Sequence, residues 1–465
     1  MIQTIRKAWG IPELRKKIIF TLLILLIFRI GNAITVPYIN KDALQIQLAS
    51  MGSTYFGLLN TMSGGAFSMA TVFALSIQPY INASIIIQLL TVAIPALERL
   101  AKDGGEEGRK KIQSITRYTT VGIAVLQAFG YYMMMQRYNL LESGVSGIWP
   151  ALVIIVTLIA GSSFVMWMGE QVNEFGVGNG ISIILFAGIL ARVPNMISGM
   201  IDGVRTWSGV QAGSITLESL ISGYESAGYS ADLAKQQAEA VLGSAIAPWG
   251  IALLLVGVLA LIVFIVFISD AERRIPVQYA KRQVGRKMYG GQSSNLPMKV
   301  NMPGVMPVIF ASSIVTFPGT IIQFLNPEEG SFWSNFGKAF SQGSLAYIIV
   351  YALLIVGFAY FYATIQFNPI EVSNNLKRNG GFIPGFRPGK PTTDFIAKVL
   401  NKITLMGALF LGIVAILPLI MSNIKGLGGL AIGGTSVLIL VGVALETVKQ
   451  IEAQMLMRHY KGFLE

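Results

Sequence analysis

Ten long apolar stretches restrict the possible folds of this chain more than any other feature of its sequence. Each is about 20 residues long, the length that an α-helix needs to cross about 30 Å of hydrocarbon. Only 12% of the 465 residues are charged, which is about half the share found in soluble domains. We therefore predict an all-α membrane protein with ten transmembrane helices. The predicted spans are residues 18–38, 70–94, 116–136, 150–169, 179–200, 248–269, 304–325, 344–366, 400–421 and 429–448.

The basic residues predict the orientation of these helices. If the N-terminus is cytoplasmic, 27 of the 35 Lys and Arg residues lie on the cytoplasmic side, as the positive-inside rule requires. Arg29 interrupts the first apolar stretch and nine more stretches follow, so we interpret the first as a retained helix and not as a signal peptide. Both termini are predicted to be cytoplasmic. The net charge of +12 also suits an anionic inner leaflet.

Three connections are too long to be simple turns. Residues 202–247 form a polar outer segment in which Ser230 and Gly243 are suited to cap a short helix. The cytoplasmic loops 270–303 and 367–399 are rich in basic residues, prolines and glycines. Basic loops can serve only to contact headgroups and set the topology. The prolines and glycine pairs favour a second interpretation, a shaped docking surface for a folded partner.

The sequence does not indicate catalysis. Without cysteine the chain has no thiolate metal site and no disulfide. Glu98, Glu170, Glu174 and Glu446 lie near the cytoplasmic ends of spans, and the span interiors contain mainly amides and hydroxyls as polar groups. The glycines of "EFGVGNG" follow a membrane helix and not a strand, so they do not indicate a phosphate loop. We predict a protein that is not an enzyme and needs no cofactor or metal.

A helix that is too short precedes the second span. Residues 55–66 would reach only about 18 Å as a helix, and Gly64 and Gly65 supply a natural stop. A half-length helix leaves backbone groups unpaired at membrane depth, which is tolerated only inside protein or beside a wet cavity. An ordinary re-entrant or interfacial turn is the alternative.

Four long motifs resemble those of a known protein family. "SGGAFSMATVFALSIQPYINASIIIQLL", "RRIPVQYAKR", "NMPGVMPVIFASSIVTFP" and "GGFIPGFRPGKPT" occur in this order and closely resemble the SecY family of bacterial protein-conducting channels. The resemblance implies that an unfolded polypeptide crosses the plasma membrane between two pseudo-symmetric five-span halves, or leaves sideways into lipid. It implies four partners besides the polypeptide with its signal sequence: the subunits SecE and SecG, the motor ATPase SecA and the ribosome.

The resemblance also implies a domain organisation. The segments are a cytoplasmic N-terminal segment (1–17), an N-terminal half (18–200), an outer loop (201–247), a C-terminal half (248–448) and a cytoplasmic tail (449–465). In this family the short helix is a plug that closes the outer vestibule. The plug segment comprises Tyr55, Phe56, Gly57, Leu58, Leu59, Asn60, Thr61, Met62, Ser63, Gly64, Gly65 and Ala66.

A ring of aliphatic side chains is expected at the narrowest point. Ile81 and Ile85 share one helix face, as do Leu185 and Ile189. Such a ring offers no hydrogen-bonding partner, and a narrow apolar neck dewets. Each residue taken alone could simply pack against a helix or lipid, and Leu185 departs from the isoleucine expected in the family. The resemblance implies a pore ring of Ile81, Ile85, Leu185, Ile189, Ile309 and Ile439.

The wall between the halves is expected to open toward lipid. Weak polar contacts of about 0.6 kcal/mol between membrane helices suit a seam that must part. For each hydroxyl, bonding to its own helix backbone is an equally good interpretation. The implied lateral gate places Ser84, Ile87, Gln88 and Gln127 opposite Ser312, Ser313, Thr316 and Phe317.

Arginines in the two cytoplasmic loops are the candidate docking residues. The guanidinium group binds carboxylates in a bidentate manner and also binds phosphates, so the motor protein and ribosomal RNA both remain open as partners. The candidates are Arg273, Arg274, Lys281, Arg282, Arg286 and Arg387.

Two features of the sequence depart from the pattern of the family. The outer segment 202–247 is longer than is usual, and Met69 stands where many relatives have a basic residue.

A secondary transporter with inverted repeats would need a compact polar solute site, which the spans do not supply. A membrane scaffold would use only the basic loops to tether a cytoplasmic partner.

Overall fold

The structure is a computed structural model. It describes residues 2–461 except 42, 46–59, 61–62, 103, 143–146, 227–230, 244, 280–281, 285–286, 290–292, 326–330, 341–343 and 423–433.

Helices dominate both halves of the chain. In the N-terminal half and the outer segment they are α1 (Ile2–Trp9), α2 (Pro12–Gly31), α3 (Gln78–Ala93), α4 (Pro95–Lys102), α5 (Gly105–Arg137), α6 (Ile148–Phe175), α7 (Gly180–Ala191), α8 (Val193–Gln211), α9 (Leu217–Ser226) and α10 (Ala231–Gly243). In the C-terminal half they are α11 (Pro248–Asp270), α12 (Met306–Leu325), α13 (Phe332–Ala339), α14 (Leu345–Gln366), α15 (Pro369–Arg378), α16 (Lys390–Ser422) and α17 (Gly434–Lys461).

Every predicted span overlaps one of these helices. Within the described residues, five helices are long and apolar enough to cross a membrane, and six if the pair α3 and α4 counts as one span. That pair bends by 105° at Ile94, because Pro95 disfavours helical backbone at the residue before it. The prediction of a helical, multi-pass membrane protein is confirmed.

Two span boundaries were predicted wrongly. The helix of the first predicted span, α2, covers Pro12–Gly31 and not residues 18–38. The helix of the second predicted span, α3, begins at Gln78 and not at residue 70. In the intervening segments, the Val36 amide donates to the carbonyl of Ala70 at 2.8 Å and the Val72 amide donates to the carbonyl of Ile34 at 2.9 Å. These apolar residues satisfy their backbone groups against each other, so they do not need a helix.

The basic loops 270–303 and 367–399 contain a small sheet that the all-α prediction missed. Its strands are β1 (Glu272–Tyr279), β4 (Ser293–Lys299) and β5 (Gly381–Phe382), and β2 (Arg282–Val284) pairs separately with β3 (Lys287–Tyr289). The central strand β1 is antiparallel to both neighbours, with Gln278 opposite Phe382. Because β5 belongs to the loop 367–399, the two basic loops form one folded unit.

The largest apolar core lies between the two halves. It contains buried side chains from α2, α3, α6 and α7 together with side chains from α11, α12, α14, α16 and α17. A second core lies under the segment that follows α2, and a third lies beneath the sheet of β1, β4 and β5.

The outer segment is helical. The short helix predicted from Ser230 to Gly243 corresponds to α10, although Ser230 itself lies outside the described residues. Ala234 and Ala238 are four residues apart and fully buried, so α10 packs through a face of small residues.

Candidate functional site

The six pore-ring residues lie in one buried cluster. Ile81 and Ile85 come from α3, Leu185 and Ile189 from α7, Ile309 from α12 and Ile439 from α17. Each is between 1% and 6% exposed. Four helices from both halves of the chain therefore contribute branched aliphatic side chains to the same apolar core.

A backbone contact fixes α7, which carries two of these residues. A Cβ added at Gly180 would lie 1.9 Å from the carbonyl oxygen of Gly169 on α6, so only glycine allows this approach. The Asn173 side chain accepts a hydrogen bond from the Gly180 amide at 2.8 Å, and Asn179 caps the helix by accepting from the Ile181 amide at 3.1 Å. In "EFGVGNG", Gly180 thus permits close helix packing and helix initiation.

The plug segment is described only in part. Tyr55, Phe56, Gly57, Leu58, Leu59, Thr61 and Met62 lie outside the described residues. The last four residues, Ser63 to Ala66, form turns and not the end of the expected helix. Gly64 and Gly65 have positive φ angles of 71° and 93°, which a side chain disfavours, so the backbone is not helical at these two positions.

The end of the plug segment touches α7 beside the pore ring. A Cβ at Gly64 would lie 2.8 Å from the carbonyl oxygen of Gly188, the residue before Ile189. Asn60 holds the turn together, since its backbone carbonyl accepts from the Gly65 amide at 2.8 Å and its side chain accepts from the Ser68 amide at 3.1 Å. This part of the segment therefore lies against α7 next to Ile189.

Tyr131 on α5 secures the chain that leaves the plug segment. Its hydroxyl donates to the carbonyl of Phe67 at 3.0 Å, and the two rings meet edge to face at 4.9 Å. No local sequence pattern indicates this contact, because the two residues are 64 positions apart.

The predicted lateral gate lies where α3 and α5 meet α12. Ser312 donates to the carbonyl of Ile309 at 2.8 Å, and Thr316 donates to the carbonyl of Ser312 at 2.8 Å. These two hydroxyls bond to their own helix, as the alternative interpretation expected. The hydroxyl of Ser313 is buried and has no partner among the described residues.

The other gate candidates are distributed on both sides of this contact. Ile87 on α3 is buried, whereas Ser84 and Gln88 on α3 and Gln127 on α5 are partly exposed. Phe317 belongs to α12, but its side chain lies outside the described residues.

One hydrogen bond crosses the seam, and sequence reasoning did not find its donor. The Tyr362 hydroxyl on α14 donates to the side-chain oxygen of Gln88 on α3, and the Gln88 amide nitrogen donates to Ser84 at 3.0 Å. The Tyr362 ring packs against Phe310 of α12, with 5.3 Å between ring centroids. The signal was present in the sequence: Tyr347, Tyr351, Ile355, Phe358 and Tyr362 recur at helical spacing and are all buried.

Comparison with known proteins identifies the family. The family model for SecY matches residues 71–448. The protein translocase subunit SecY of Streptomyces scabiei is 42% identical over 478 residues, an alignment that covers 100% of both chains. The chain belongs to the SecY family.

Solved structures show the same fold. "The structure of a protein conducting channel" matches this SecY-family chain with a TM-score of 0.60 at 16% identity, covering 97% of each chain. "Sec61 in the Canine ribosome-channel complex from the endoplasmic reticulum" matches with a TM-score of 0.57 at 16% identity, also over 97% of each chain. The family predicted from the four motifs is thus confirmed, and so is the helical fold.

The described docking candidates of this SecY-family chain lie on or near the sheet of β1, β4 and β5. Arg273 and Arg274 are exposed on β1, and Arg274 forms an ion pair with Glu272 at 2.7 Å. Arg387 is exposed in the second loop, where its carbonyl accepts from the Thr392 hydroxyl at 2.8 Å.

Three further docking candidates are described incompletely or not at all. Lys281 and Arg286 lie outside the described residues, and only the backbone of Arg282 is described.

The underside of the sheet explains how these arginines are supported. Ile275 and Val277 alternate with exposed residues along β1 and are buried against Met298, Ile383 and Ile396. This period of two is typical of a strand with one covered face, and it was a signal for β structure in "RRIPVQY". The pairing with β5 could not be read from the sequence, because about 100 residues separate the two strands.

A buried carboxylate joins two helices of the N-terminal half. Glu170 on α6 is 7% exposed and binds Arg117 on α5 through two contacts, at 2.8 Å and 3.0 Å. Gln113 donates to the same carboxylate at 3.1 Å. The sequence placed Glu170 near a cytoplasmic helix end, but the partner was missed because it lies 53 residues away.

Proposed function

We propose that this chain is the pore subunit through which unfolded polypeptides cross the bacterial plasma membrane and through which membrane-protein segments enter the lipid. The observation that carries the proposal is that six branched aliphatic residues from four helices, two in each half of the chain, are buried in the core between the halves. A transporter would need a compact polar solute site instead, and a tether would need no such convergence.

The chemistry of the ring suits a path for any sequence. Aliphatic side chains make no hydrogen bonds, so they do not retain a polar segment as it passes. When no polypeptide is present, an apolar neck of this kind dewets and resists ion flow. The contact between Gly64 and Gly188 supports a plug that rests against the ring in the closed state.

Lateral exit would require α3 to separate from α12 and α14. The described polar contact across this seam is the hydrogen bond from Tyr362 to Gln88. A bond of this type between membrane helices contributes about 0.6 kcal/mol, so the seam can open at low cost when a hydrophobic segment binds.

The cytoplasmic sheet would be the docking surface for partners that supply energy. Arg273, Arg274 and Arg387 are exposed there, and the apolar core under β1 holds the surface in shape. In this proposal the chain is passive and not an enzyme. SecA or a translating ribosome drives the polypeptide, SecE and SecG complete the channel, and both termini are cytoplasmic.

Crosslinking tests the path directly. Because the chain has no cysteine, a single cysteine can be placed at each pore-ring position and reacted with a polypeptide stalled during translocation. We expect adducts at the ring and none at Leu126, which is 70% exposed on the surface of α5. Equal labelling at Leu126, or no labelling at the ring, contradicts the proposal.

A double substitution separates this proposal from its competitors. Ile81→Asn with Ile85→Asn places two amides in the ring, which should hydrate the neck and let ions leak. A tethering protein would show no ion leak. A transporter would instead show changed uptake of a particular solute.

A further inference from the structure

The short helix α13 carries an aromatic stripe that the proposed channel does not use. Phe332, Trp333 and Phe336, with Phe340 just after the helix, fall within an arc of about 100° at 3.6 residues per turn. Their rings form a chain, with 6.2 Å between Phe332 and Phe336 and 4.6 Å between Phe336 and Phe340. Phe332 is nevertheless 73% exposed and Trp333 is 52% exposed. The start of the stripe therefore faces away from the protein, whereas Phe336 and Phe340 are partly buried.

The opposite arc of α13 is polar and not aromatic. Helical spacing places the polar residues Ser334, Asn335 and Lys338 there, and Asn335 is exposed. A helix with one aromatic face and one polar face is suited to a boundary between an apolar phase and water.

Both neighbouring helices hold α13 in place. A Cβ at Gly337 would lie 2.9 Å from a methyl group of Ile322, so α13 packs closely on α12. On the other side, the Ser344 hydroxyl donates to the carbonyl of Ala339 and accepts from the Tyr347 amide at 3.1 Å. One serine thus joins the end of α13 to the start of α14.

The topology fixes the depth of α13. The helices α12 and α14 both lead from α13 toward the basic loops 270–303 and 367–399. If both helices cross the bilayer, α13 lies at the membrane surface opposite these loops.

We propose that α13 is an interfacial anchor whose aromatic stripe inserts among the headgroups and upper acyl chains of that leaflet. Aromatic residues, Trp above all, are enriched at this level of the membrane. Lipid is the occupant that the surroundings favour, because the stripe continues into the exposed apolar face of α14, where Leu345 is 74% and Leu353 is 66% exposed. The anchor requires only that the chain spans a membrane, so it does not depend on translocation.

Depth-dependent quenching tests the anchor in the full-length protein. We would reconstitute single-cysteine variants into vesicles of phosphatidylcholine and phosphatidylglycerol and label them with an environment-sensitive fluorophore. The lipids would carry a quencher near the headgroup or deep in the acyl chain. For Trp333→Cys we expect quenching about twofold stronger with the shallow quencher than with the deep one, as for a group at the interface.

Three labelled positions serve as controls. Asn335→Cys on the polar arc of the same helix should respond to aqueous iodide and little to either lipid quencher. Glu218→Cys on α9 should respond to iodide alone, and Leu353→Cys in the middle of α14 should respond to the deep quencher. These positions calibrate water, interface and hydrocarbon in one protein.

Each of the other results for Trp333→Cys overturns the proposal. A label that responds only to iodide would place the stripe in water. A label shielded from iodide and from both lipid quenchers would indicate a protein partner on the stripe. Stronger quenching by the deep quencher would place it in hydrocarbon.

Discussion

Tyr362 on α14 donates a hydrogen bond to Gln88 on α3. The bond joins two helices that are far apart in the chain and that lie on opposite sides of the proposed lateral gate. Gln88 is itself held by Ser84, and the Tyr362 ring rests on Phe310. The contact therefore links the two sides of the seam through a supported pair of side chains.

Tyr362→Phe should favour opening of the seam. The substitution removes the hydroxyl but keeps the ring on Phe310. A loss of about 0.6 kcal/mol corresponds to a shift of about threefold toward the open state. Export of a substrate with a weakened signal sequence measures this shift. The control is Tyr360→Phe on the same helix, whose hydroxyl donates to the carbonyl of Asn401 at 3.2 Å away from the seam. Equal effects of the two substitutions would show that the bond to Gln88 has no special part in gating.

Gly64→Ala should weaken the closed plug. The new methyl group would lie 2.8 Å from the carbonyl oxygen of Gly188 and would force the plug segment away from α7. If this contact costs about 1.4 kcal/mol, the displaced state becomes about tenfold more populated. Ion conductance of vesicles without substrate reports the result. Gly65→Ala is the matched control, because Gly65 also has a positive φ but would have no atom within 4 Å of its Cβ. The same conductance in both variants would argue against a seal at Gly188.

Glu170→Gln should lower the stability of the helical bundle. The substitution removes the charge that binds Arg117, while Gln113 keeps a polar side chain at position 170 as its neighbour. Arg117 is about half exposed and can be solvated, so we expect a loss of about 1–2 kcal/mol, below that of a fully buried pair. Unfolding in detergent measures it. Glu107→Gln breaks the exposed pair with Lys111 and should cost less than about 0.5 kcal/mol. Similar losses in the two variants would mean that the burial of Glu170 does not increase the contribution of its ion pair to stability.

Gly180→Ala should disturb the start of α7 and so the ring residues on it. Its Cβ would lie 1.9 Å from the Gly169 carbonyl oxygen, and overpacking of this kind costs about 1–3 kcal/mol. Gly199→Ala on α8 meets no atom within 4 Å and should be neutral or stabilising by up to about 1 kcal/mol. Thermal unfolding compares them. A Gly180→Ala protein as stable as Gly199→Ala would contradict the contact between α6 and α7.

The positions of the membrane helices could be predicted from the sequence because hydrophobicity over 20 residues is a local property. The boundaries were less predictable. Residues 70–77 are as apolar as a span and residues 32–38 directly follow one, but pairing such as that between Val36 and Ala70 replaces helical hydrogen bonds, and no local pattern reports it. The helix stop at Gly64 and Gly65 was predictable, since positive φ is a property of glycine itself.

Some residues of the candidate site could also be predicted from the sequence, and others could not. Helical spacing put Ile81 beside Ile85 and Leu185 beside Ile189, and family resemblance added Ile309 and Ile439. Docking arginines and gate residues were likewise expected from the motifs, and their functional roles remain predictions. The partners Tyr362, Tyr131 and Arg117 were not expected, because each contact joins residues separated by 50 or more positions.

The sequence by itself determined that this chain lies in a membrane, about where its apolar helices lie and which family it belongs to, because composition, periodicity and motif order are properties of the sequence itself. Only the tertiary structure decided that six aliphatic side chains meet in one core, that two basic loops share a sheet and that one tyrosine joins α14 to α3. These are relationships between distant segments. Their geometry depends on close backbone approaches, such as that of Gly180 to Gly169, which fixes how α7 packs on α6.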